Sequence, residues 1–190
     1  MSKRADAPAG DLTLLLARAV GSRANVLIEG GAAWMRAVVA RSIHAESRTR
    51  RRIFLAVGVS ALPADVPWRV LLAGDLPGLE DLPGLSWTPS PDTVGAIYLE
   101  GLDDLDRAEQ ARLASALLAR EDLVFGGPEP PRLIAGVSDA RGSASNPRLD
   151  PRVERCLAVV HMKLGAGFEH EEWVSDRGRT AHPLVRIEWY

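Results

Sequence analysis

Apolar residues along this chain follow two periods, one typical of helices and one typical of buried strands. Short apolar runs predict strands at residues 26–29, 53–59, 95–99 and 132–137. Apolar positions three or four apart predict helices at residues 12–20, 34–47 and 106–120. Because strands alternate with helices, the pattern predicts an α/β fold with a mainly parallel sheet and helices on both faces.

The C-terminal third of the chain adds further strand-like segments. Residues 156–164 form a continuous apolar run that predicts the last core strand. We expect strand 26–29 to lie between this strand and strand 132–137. Residues 168–175 and 183–189 have strand-like composition on either side of a polar stretch. They predict a short C-terminal β segment, arranged as an antiparallel pair.

Composition is typical of one globular domain. The 190 residues are 46% hydrophobic and 25% charged, which is enough to form a substantial core. We expect a mobile arm at residues 1–10 and a single α/β domain over residues 11–190, whose tail diverges from residue 165 onward. Residues 62–93 are rich in Pro, Gly and Asp, so they predict a loop with one short strand at residues 69–72.

Charge and cysteine content exclude several kinds of protein. A formal net charge of −2 gives no general attraction for nucleic acid or anionic lipid. The single cysteine, Cys156, excludes an internal disulfide, and its apolar surroundings predict a buried thiol. The first ten residues have no apolar signal region, and no stretch approaches the ~18 apolar residues of a membrane span. We therefore expect a cytoplasmic protein with no membrane contact.

The segment VLIEGGAAWMRAVVARSIH has the form of a phosphate-binding loop between a strand and a helix. A working loop, GxxxxGK[ST], needs glycines so that N–H groups face the phosphates, a lysine for their oxygens and a hydroxyl for Mg²⁺. Here Arg36 occupies the lysine position, Ala37 has no hydroxyl, and Ala33 and Met35 replace glycines. Trp34 is bulky enough to fill part of the pocket. The loop predicts the shape of a nucleotide site without tight, Mg²⁺-dependent nucleotide binding.

Three later stretches accompany this loop: GVSALP, GAIYLEGLDDLDRAEQARL and PRLIAGVSDA. Together they resemble the bacterial enhancer-binding proteins, the AAA+ activators of sigma-54 RNA polymerase, over roughly residues 11–160. The interval of 100 − 36 = 64 positions from Arg36 to Glu100 is close to that of the family. The resemblance implies a P-loop NTPase-like AAA+ α/β subdomain with a mainly parallel five-stranded sheet and flanking helices.

The resemblance also implies which positions correspond to the family's active site. They are Gly30, Gly31 and Arg36 in the phosphate loop, Glu100 and Gly101 at the acidic pair, and Ser138 at the sensor asparagine. Gly101 supplies no general base, and Ser138 is too short to orient a γ-phosphate as asparagine does. Residues 78–83 align with the loop that grips the sigma factor, but they lack its Phe and Thr. We therefore expect vestigial positions, with no cofactor, no metal and no catalytic residue.

The leading hypothesis is a non-catalytic regulatory or scaffolding module that contacts another bacterial protein, as a monomer or a homodimer. The chain ends at Tyr190, so we expect neither the family's helical lid nor its helix-turn-helix, and no direct DNA binding. One alternative is a weak NTPase that uses Arg36 and Glu100, and another is a small-ligand sensor in the vestigial pocket. Candidate contact residues are Leu76, Leu79, Leu82, Trp87, Trp173, Trp189 and Tyr190.

Three polar clusters have both a functional and a structural interpretation. Histidines 170 and 182 with the neighbouring glutamates could bind a metal, but they lack a metal-ligand spacing, so a solvated strand is the interpretation that we favour. Asp103, Asp104 and Asp106 could hold a cation or could cap a helix. Arginines 48, 50, 51 and 52 form a basic turn, which could bind phosphate or an acidic partner or could simply be solvated.

Overall fold

A computed structural model describes residues 9–62, 67–74, 93–121, 130–138, 149–164 and 185–188. Six strands in the described residues form one sheet, in the order β5-β1-β4-β3-β2-β6. The strands are β1 Val26–Gly30, β2 Ile53–Gly58, β3 Val94–Glu100, β4 Arg132–Val137, β5 Val160–Leu164 and β6 Val185–Glu188. Strands β1 to β5 are mutually parallel, and β6 is antiparallel to β2. The predicted mainly parallel five-stranded sheet is confirmed.

Helices cover both faces of the sheet, as the alternating pattern predicts. They are α1 Ala9–Gly21, α2 Ala33–Ala45, α3 Trp68–Leu72, α4 Arg107–Glu121 and α5 Pro151–Leu157. Short 3-10 turns follow β2 and β3, at Val59–Ala61 and Leu102–Asp104. On one face, α1 and α2 pack on alternate residues of the strands, such as Ile28 and Tyr98. On the other, α3, α4 and α5 pack on the intervening residues, such as Leu27 and Leu99.

Strand β1 lies between β5 and β4, where the sequence analysis places it. Ile28 lies opposite Gly136 of β4 on one side and Met162 of β5 on the other. All three β1 residues from Val26 to Ile28 are fully buried, which explains why this strand is a continuous apolar run rather than an alternating one. The predicted position between the strands at 132–137 and 160–164 is confirmed.

Two strand boundaries predicted from the sequence are wrong. The apolar run 156–164 is not one strand, because Cys156 belongs to helix α5 and β5 begins only at Val160. The Asp150 side chain accepts a hydrogen bond from the N–H of Arg152 (2.8 Å) and Pro151 occupies the first turn, so α5 begins with a strong N-terminal signal. Cys156 is buried at 5% exposure, as predicted.

The second error is the short strand at residues 69–72, which is part of helix α3. Trp68, Leu71 and Leu72 are all buried, at the i, i+3, i+4 spacing of a helix face. The Trp68 indole N–H donates to Glu109 Oε2 (3.1 Å), which ties α3 to α4. A window of five residues is too short for periodicity to distinguish this turn of helix from a strand.

The two ends of the chain also differ from expectation. Helix α1 begins at Ala9, so the last two residues of the predicted arm are helical. Strand β6 confirms a short C-terminal β segment, but it extends the main sheet by pairing Ile187 with Leu55 of β2. Residues 168–175, the predicted partner strand, lie outside the described residues. Within the part of the chain that the structure covers, no helix has the length and apolar character needed to cross a membrane.

Protonation of His44 is expected to destabilise the fold. This side chain is fully buried, and its Nε2 lies 2.9 Å from the carbonyl oxygen of Arg52. Burial lowers the pKa of His44 below 6.5, and Arg132 lowers it further. Below pH 6.5 the imidazole is protonated in the unfolded chain but stays neutral in the folded chain. Stability that is fully present above pH 6.5 is therefore lost as the pH falls toward the pKa of the folded state.

The loss should reach at most about 1.4 kcal/mol per pH unit. Urea unfolding at pH 7.5, 6.5 and 5.5 measures it. In His44→Gln, the free energy of unfolding should depend less steeply on pH below pH 6.5. The control His161→Gln removes a half-buried imidazole that contacts Glu29, and it should keep the pH dependence of the wild type. Equal slopes in wild type and His44→Gln would contradict this account.

Candidate functional site

The residues that the sequence assigns to the family's active site meet at the carboxyl edge of the sheet. Gly30 ends β1, Glu100 ends β3, and Ser138 directly follows β4. These three strands are adjacent in the order β1-β4-β3. In open parallel sheets, ligands bind at this edge. The structure therefore brings the phosphate-loop, acidic-pair and sensor positions together.

The turn from β1 into α2 depends on two glycines with left-handed backbone. Gly30 has φ +85° and Gly31 has φ +63°. A Cβ on Gly30 would lie 2.6 Å from the backbone oxygen of Leu164, so a side chain is excluded by space as well as by conformation. The chain enters α2 after Ala32, whose side chain makes no capping hydrogen bond. This part of the phosphate-loop shape is preserved.

The two bulky residues that follow the glycines have different surroundings. Trp34 is 55% exposed, so it can fill the vestigial pocket at most in part, and that role stays a prediction. Met35 is buried and packs in the core cluster under α2. On an α-helix, consecutive side chains point about 100° apart. Met35 facing the sheet therefore leaves Trp34 in solvent.

Arg36 is the centre of the site. The residue is 5% exposed and its Nη1 donates to the carbonyl oxygens of Gly31 (2.6 Å) and Gly30 (3.1 Å). Its Nε donates to Glu100 Oε1 (3.1 Å), and its Nη2 forms a salt bridge with the same oxygen. The side chain thus joins the loop to the end of β3, and its donors are directed at protein oxygens.

Glu100 has a second partner, which sequence reasoning missed. The hydroxyl of Tyr98 donates to Glu100 Oε2. Tyr98 is 2% exposed, and burial together with the negative charge of Glu100 raises its pKa well above the usual range, so it is a protonated donor. The spacing of two along β3 was the available signal, because it places both side chains on one face. We call Arg36, Glu100 and Tyr98 the Arg36 cluster.

The neighbouring strand leaves room for this cluster. A Cβ on Gly136 would contact Glu100 Oε2 and the Tyr98 hydroxyl. Burial lowers the pKa of Arg36, but its hydrogen bond and attraction to Glu100 outweigh that effect and raise the pKa overall. Arg36 is therefore a permanent cation neutralised by an adjacent carboxylate.

Gly101 has a structural reason to be glycine. Its φ is +81°, in the left-handed region, and it begins the 3-10 turn Leu102–Asp104. A Cβ here would approach Asp104 Oδ2 to 2.8 Å. In the family this position carries the glutamate that polarises water. In this chain the position supplies no base, and its backbone conformation disfavours any side chain.

Ser138 and the acidic residues after β3 are engaged with one another. Asp103 is 2% exposed, and its Oδ2 accepts hydrogen bonds from the backbone N–H of Ser138 (3.0 Å) and from its hydroxyl. Asp106 accepts from the N–H of Glu109 (2.8 Å) at the start of α4, which is the capping role. Among the described residues, no group of three or more His, Cys, Asp or Glu side chains could hold a metal ion.

Several residues singled out from the sequence lie outside the described residues. They are the contact candidates Leu76, Leu79, Leu82, Trp87, Trp173, Trp189 and Tyr190, the loop at residues 78–83, and histidines 170 and 182. Their roles stay predictions. The basic turn at residues 48–52 is described and lies between α2 and β2.

Comparisons with known proteins agree with the resemblance. No protein-family model matches the sequence. The chain is 29% identical over 126 residues to the sigma-54-dependent transcriptional regulator UacR of Escherichia coli K12, covering 63% of this chain and 20% of UacR. Crystal structures of NtrX from Brucella abortus with ADP and with ATP each superpose with a TM-score of 0.55, at 18% and 17% identity.

Those superpositions cover 81% and 86% of this chain but only 35% and 38% of NtrX. The chain thus spans about a fifth of the curated relative and little more than a third of the solved structures. It has the α/β fold of these neighbours, and it resembles the AAA+ core of sigma-54-dependent regulators.

Proposed function

We propose that this chain is a non-catalytic regulatory or scaffolding module of the bacterial cytoplasm, which acts through contacts with another protein. The observation that carries the proposal is the Arg36 cluster. Arg36, at the phosphate-clamp position, forms a salt bridge with Glu100, at the metal-binding position. The charge that would attract phosphate is therefore paired with the carboxylate that would bind Mg²⁺.

The charges and donors around the loop support the absence of nucleotide chemistry. A phosphate-binding loop turns N–H donors toward the anion. Here the carbonyl oxygens of Gly30 and Gly31 face Arg36, and Glu100 neutralises its charge. A phosphate chain would have to compete with the carboxylate for the guanidinium, while Ala37 offers no hydroxyl to a metal.

The two positions that the resemblance assigns to the catalytic step supply no side chain for it. Attack by water on a γ-phosphate needs a residue that orients the water or accepts its proton. Gly101 has no side chain, and the hydroxyl of Ser138 donates to Asp103. Both positions are explained by the local backbone and hydrogen bonds. We therefore assign them a structural role.

An exposed aromatic side chain supports the protein-contact role. Trp34 is 55% exposed at the first turn of α2, directly beside the glycine loop. Tryptophan is enriched among residues that dominate binding energy at interfaces. UacR is a sigma-54-dependent regulator, and a protein partner for this chain is consistent with that relationship. A second copy of the chain is the alternative partner.

A weak NTPase is the second candidate, favoured by the position of Arg36 and Glu100 at the carboxyl edge of the sheet. In that case Arg36 would leave Glu100 to clamp phosphate, and Glu100 would bind the metal. A small-ligand sensor in the vestigial pocket stays the third candidate.

Replacing Trp34 tests the contact role directly. Trp34→Ala should change the melting temperature by less than about 2 °C, because removal of an exposed side chain costs at most about 0.5 kcal/mol. If the partner is another protein, Trp34→Ala should abolish the crosslink that a photoreactive residue at position 33 forms with it in bacteria. If the partner is a second copy of the chain, Trp34→Ala should weaken self-association, measured by sedimentation equilibrium. Leu118→Ala, another exposed apolar residue at 44%, is the matched control on α4. Equal association of the wild type, Trp34→Ala and Leu118→Ala would contradict the proposed contact.

A further inference from the structure

The opposite edge of the sheet contains a cavity that the Arg36 cluster does not use. Its volume is about 160 Å³, several times the ~30 Å³ that a water molecule occupies in the liquid. It lies between the C-terminal end of α1, the turn after α2 and the first residue of β4. Arg23, Arg48 and Arg132 line it, together with Ser22, Ser47 and Thr49.

Arg132 is the most unusual of these residues. It is 4% exposed, and its Nε donates to the carbonyl oxygen of Ala24 (2.8 Å). Both of its terminal nitrogens are buried and have no hydrogen-bond partner among the residues that the structure describes. Burial and repulsion from Arg23 lower the pKa of Arg132 to about 10. Burial of a charged group with unsatisfied N–H donors is costly, so an anion bound to the two terminal nitrogens would lower that cost.

The remaining lining adds positive charge and a defined shape. Arg23 and Arg48 are both exposed, and no described residue that lines the cavity is a carboxylate. The Ser47 hydroxyl donates to the carbonyl oxygen of His44 (2.7 Å) and accepts from the N–H of Thr49 (3.2 Å). These bonds fix the turn that carries Arg48.

A basic groove leads to this cavity. An open depression of about 450 Å³ shares Ser47 and Arg48 with it, and is also lined by Arg50, Arg51 and a single acid, Glu46. The arginine turn singled out from the sequence is therefore continuous with a buried arginine from a distant part of the chain. Converging cations at a concave site attract small anions and raise their local concentration.

We propose that this cavity binds a small oxyanion of the phosphate class, with Arg132 as its buried anchor and Arg23 and Arg48 at its mouth. Guanidinium groups match the oxygens of a phosphate in planar, paired hydrogen bonds. A dianion offsets three positive charges better than a carboxylate does. The site is independent of the Arg36 cluster and of the proposed function.

Inorganic phosphate at up to 10 mM is the probe, added to the full chain at an ionic strength held constant with chloride. Such low concentrations avoid the general stabilisation by phosphate salts. At tenfold its dissociation constant, phosphate should raise the melting temperature by about 3–5 °C. Acetate at the same concentration should raise it far less. ATP and AMP are added separately, to show whether a free phosphate or a nucleotide phosphate is preferred.

Three variants determine where the effect arises. Arg132→Met should melt higher than wild type without phosphate and lose the response, because it removes the unpartnered charge. Arg48→Gln, at an exposed position, should weaken the response at least fivefold in apparent affinity. Arg50→Gln removes a charge from the groove outside the cavity and should respond nearly as wild type does. No shift in the wild type, or an equal shift in Arg48→Gln and Arg50→Gln, would overturn the proposal, even if Arg132→Met fails to fold.

Discussion

Replacing Arg36 by Met is expected to lower the free energy of unfolding by about 2–3 kcal/mol, since it removes one partner of a largely buried ion pair. The side chains of Arg36 and Glu100 are 6% and 22% exposed, so water only partly compensates for the loss. The substitution also leaves the carbonyl oxygens of Gly30 and Gly31 without the donor. Thermal or urea unfolding measures the effect, which corresponds to a drop of about 5–10 °C in melting temperature.

The double variant Arg36→Met/Glu100→Gln separates the ion pair from packing. If each charge is stabilised mainly by the other, the double variant should lose clearly less unfolding free energy than the sum of the losses in Arg36→Met and Glu100→Gln. Strict additivity within about 0.5 kcal/mol would mean that the salt bridge contributes little, and would contradict the role given to the Arg36 cluster.

Gly30→Ala is expected to lower the free energy of unfolding by about 3 kcal/mol. The substitution places an L side chain at φ +85°, which costs about 1–2 kcal/mol. It also brings the new Cβ to 2.6 Å from the backbone oxygen of Leu164, directly opposite on β5. Because the obstacle is backbone held by strand pairing, it cannot move aside as a flexible side chain would.

Gly58→Ala is the matched control for this prediction. Gly58 also ends a strand, but its φ is −80° and an added Cβ would meet no atom within 4 Å. It should change stability by less than about 1 kcal/mol. Denaturant unfolding of the wild type, Gly30→Ala and Gly58→Ala measures the change in unfolding free energy caused by each substitution. Losses of similar size in Gly30→Ala and Gly58→Ala would show that the loop adapts, and that its glycines are not required by its shape.

Most of the sheet could be predicted from the sequence because its strands are short apolar runs separated by amphipathic helices. Strand β4 begins and ends at the predicted residues, and the position of β1 follows from the same pattern. The run 156–164 has the pattern of a single strand, because Cys156 and Leu157, which are buried in helix α5, look the same in sequence as residues buried in a strand. Helix α3 was missed because one turn is too short to show a period.

The site was predictable in position but not in its contacts. The motif spacing places Arg36, Glu100 and Ser138 together, and the structure confirms that placement. Strand spacing places Tyr98 and Glu100 on one face of β3, but it does not specify their hydrogen bond, and no spacing rule predicts the bond of Ser138 to Asp103. The cavity lined by Arg23, Arg48 and Arg132 joins three regions that are far apart in sequence, so only the fold brings its residues to one place.

The most direct test of the central claim is the melting temperature of the purified chain with millimolar Mg-ATP. A ligand that binds the folded state raises stability by RT ln(1 + [L]/Kd), so even weak binding becomes visible at this concentration. Both samples, with and without Mg-ATP, contain 10 mM phosphate, so that the cavity lined by Arg23, Arg48 and Arg132 is already occupied before the nucleotide is added. With Arg36 bound to Glu100, we expect a shift of less than about 1 °C and no ATP hydrolysis. A clear upward shift that Arg36→Ala abolishes would contradict the account and would establish a working nucleotide site.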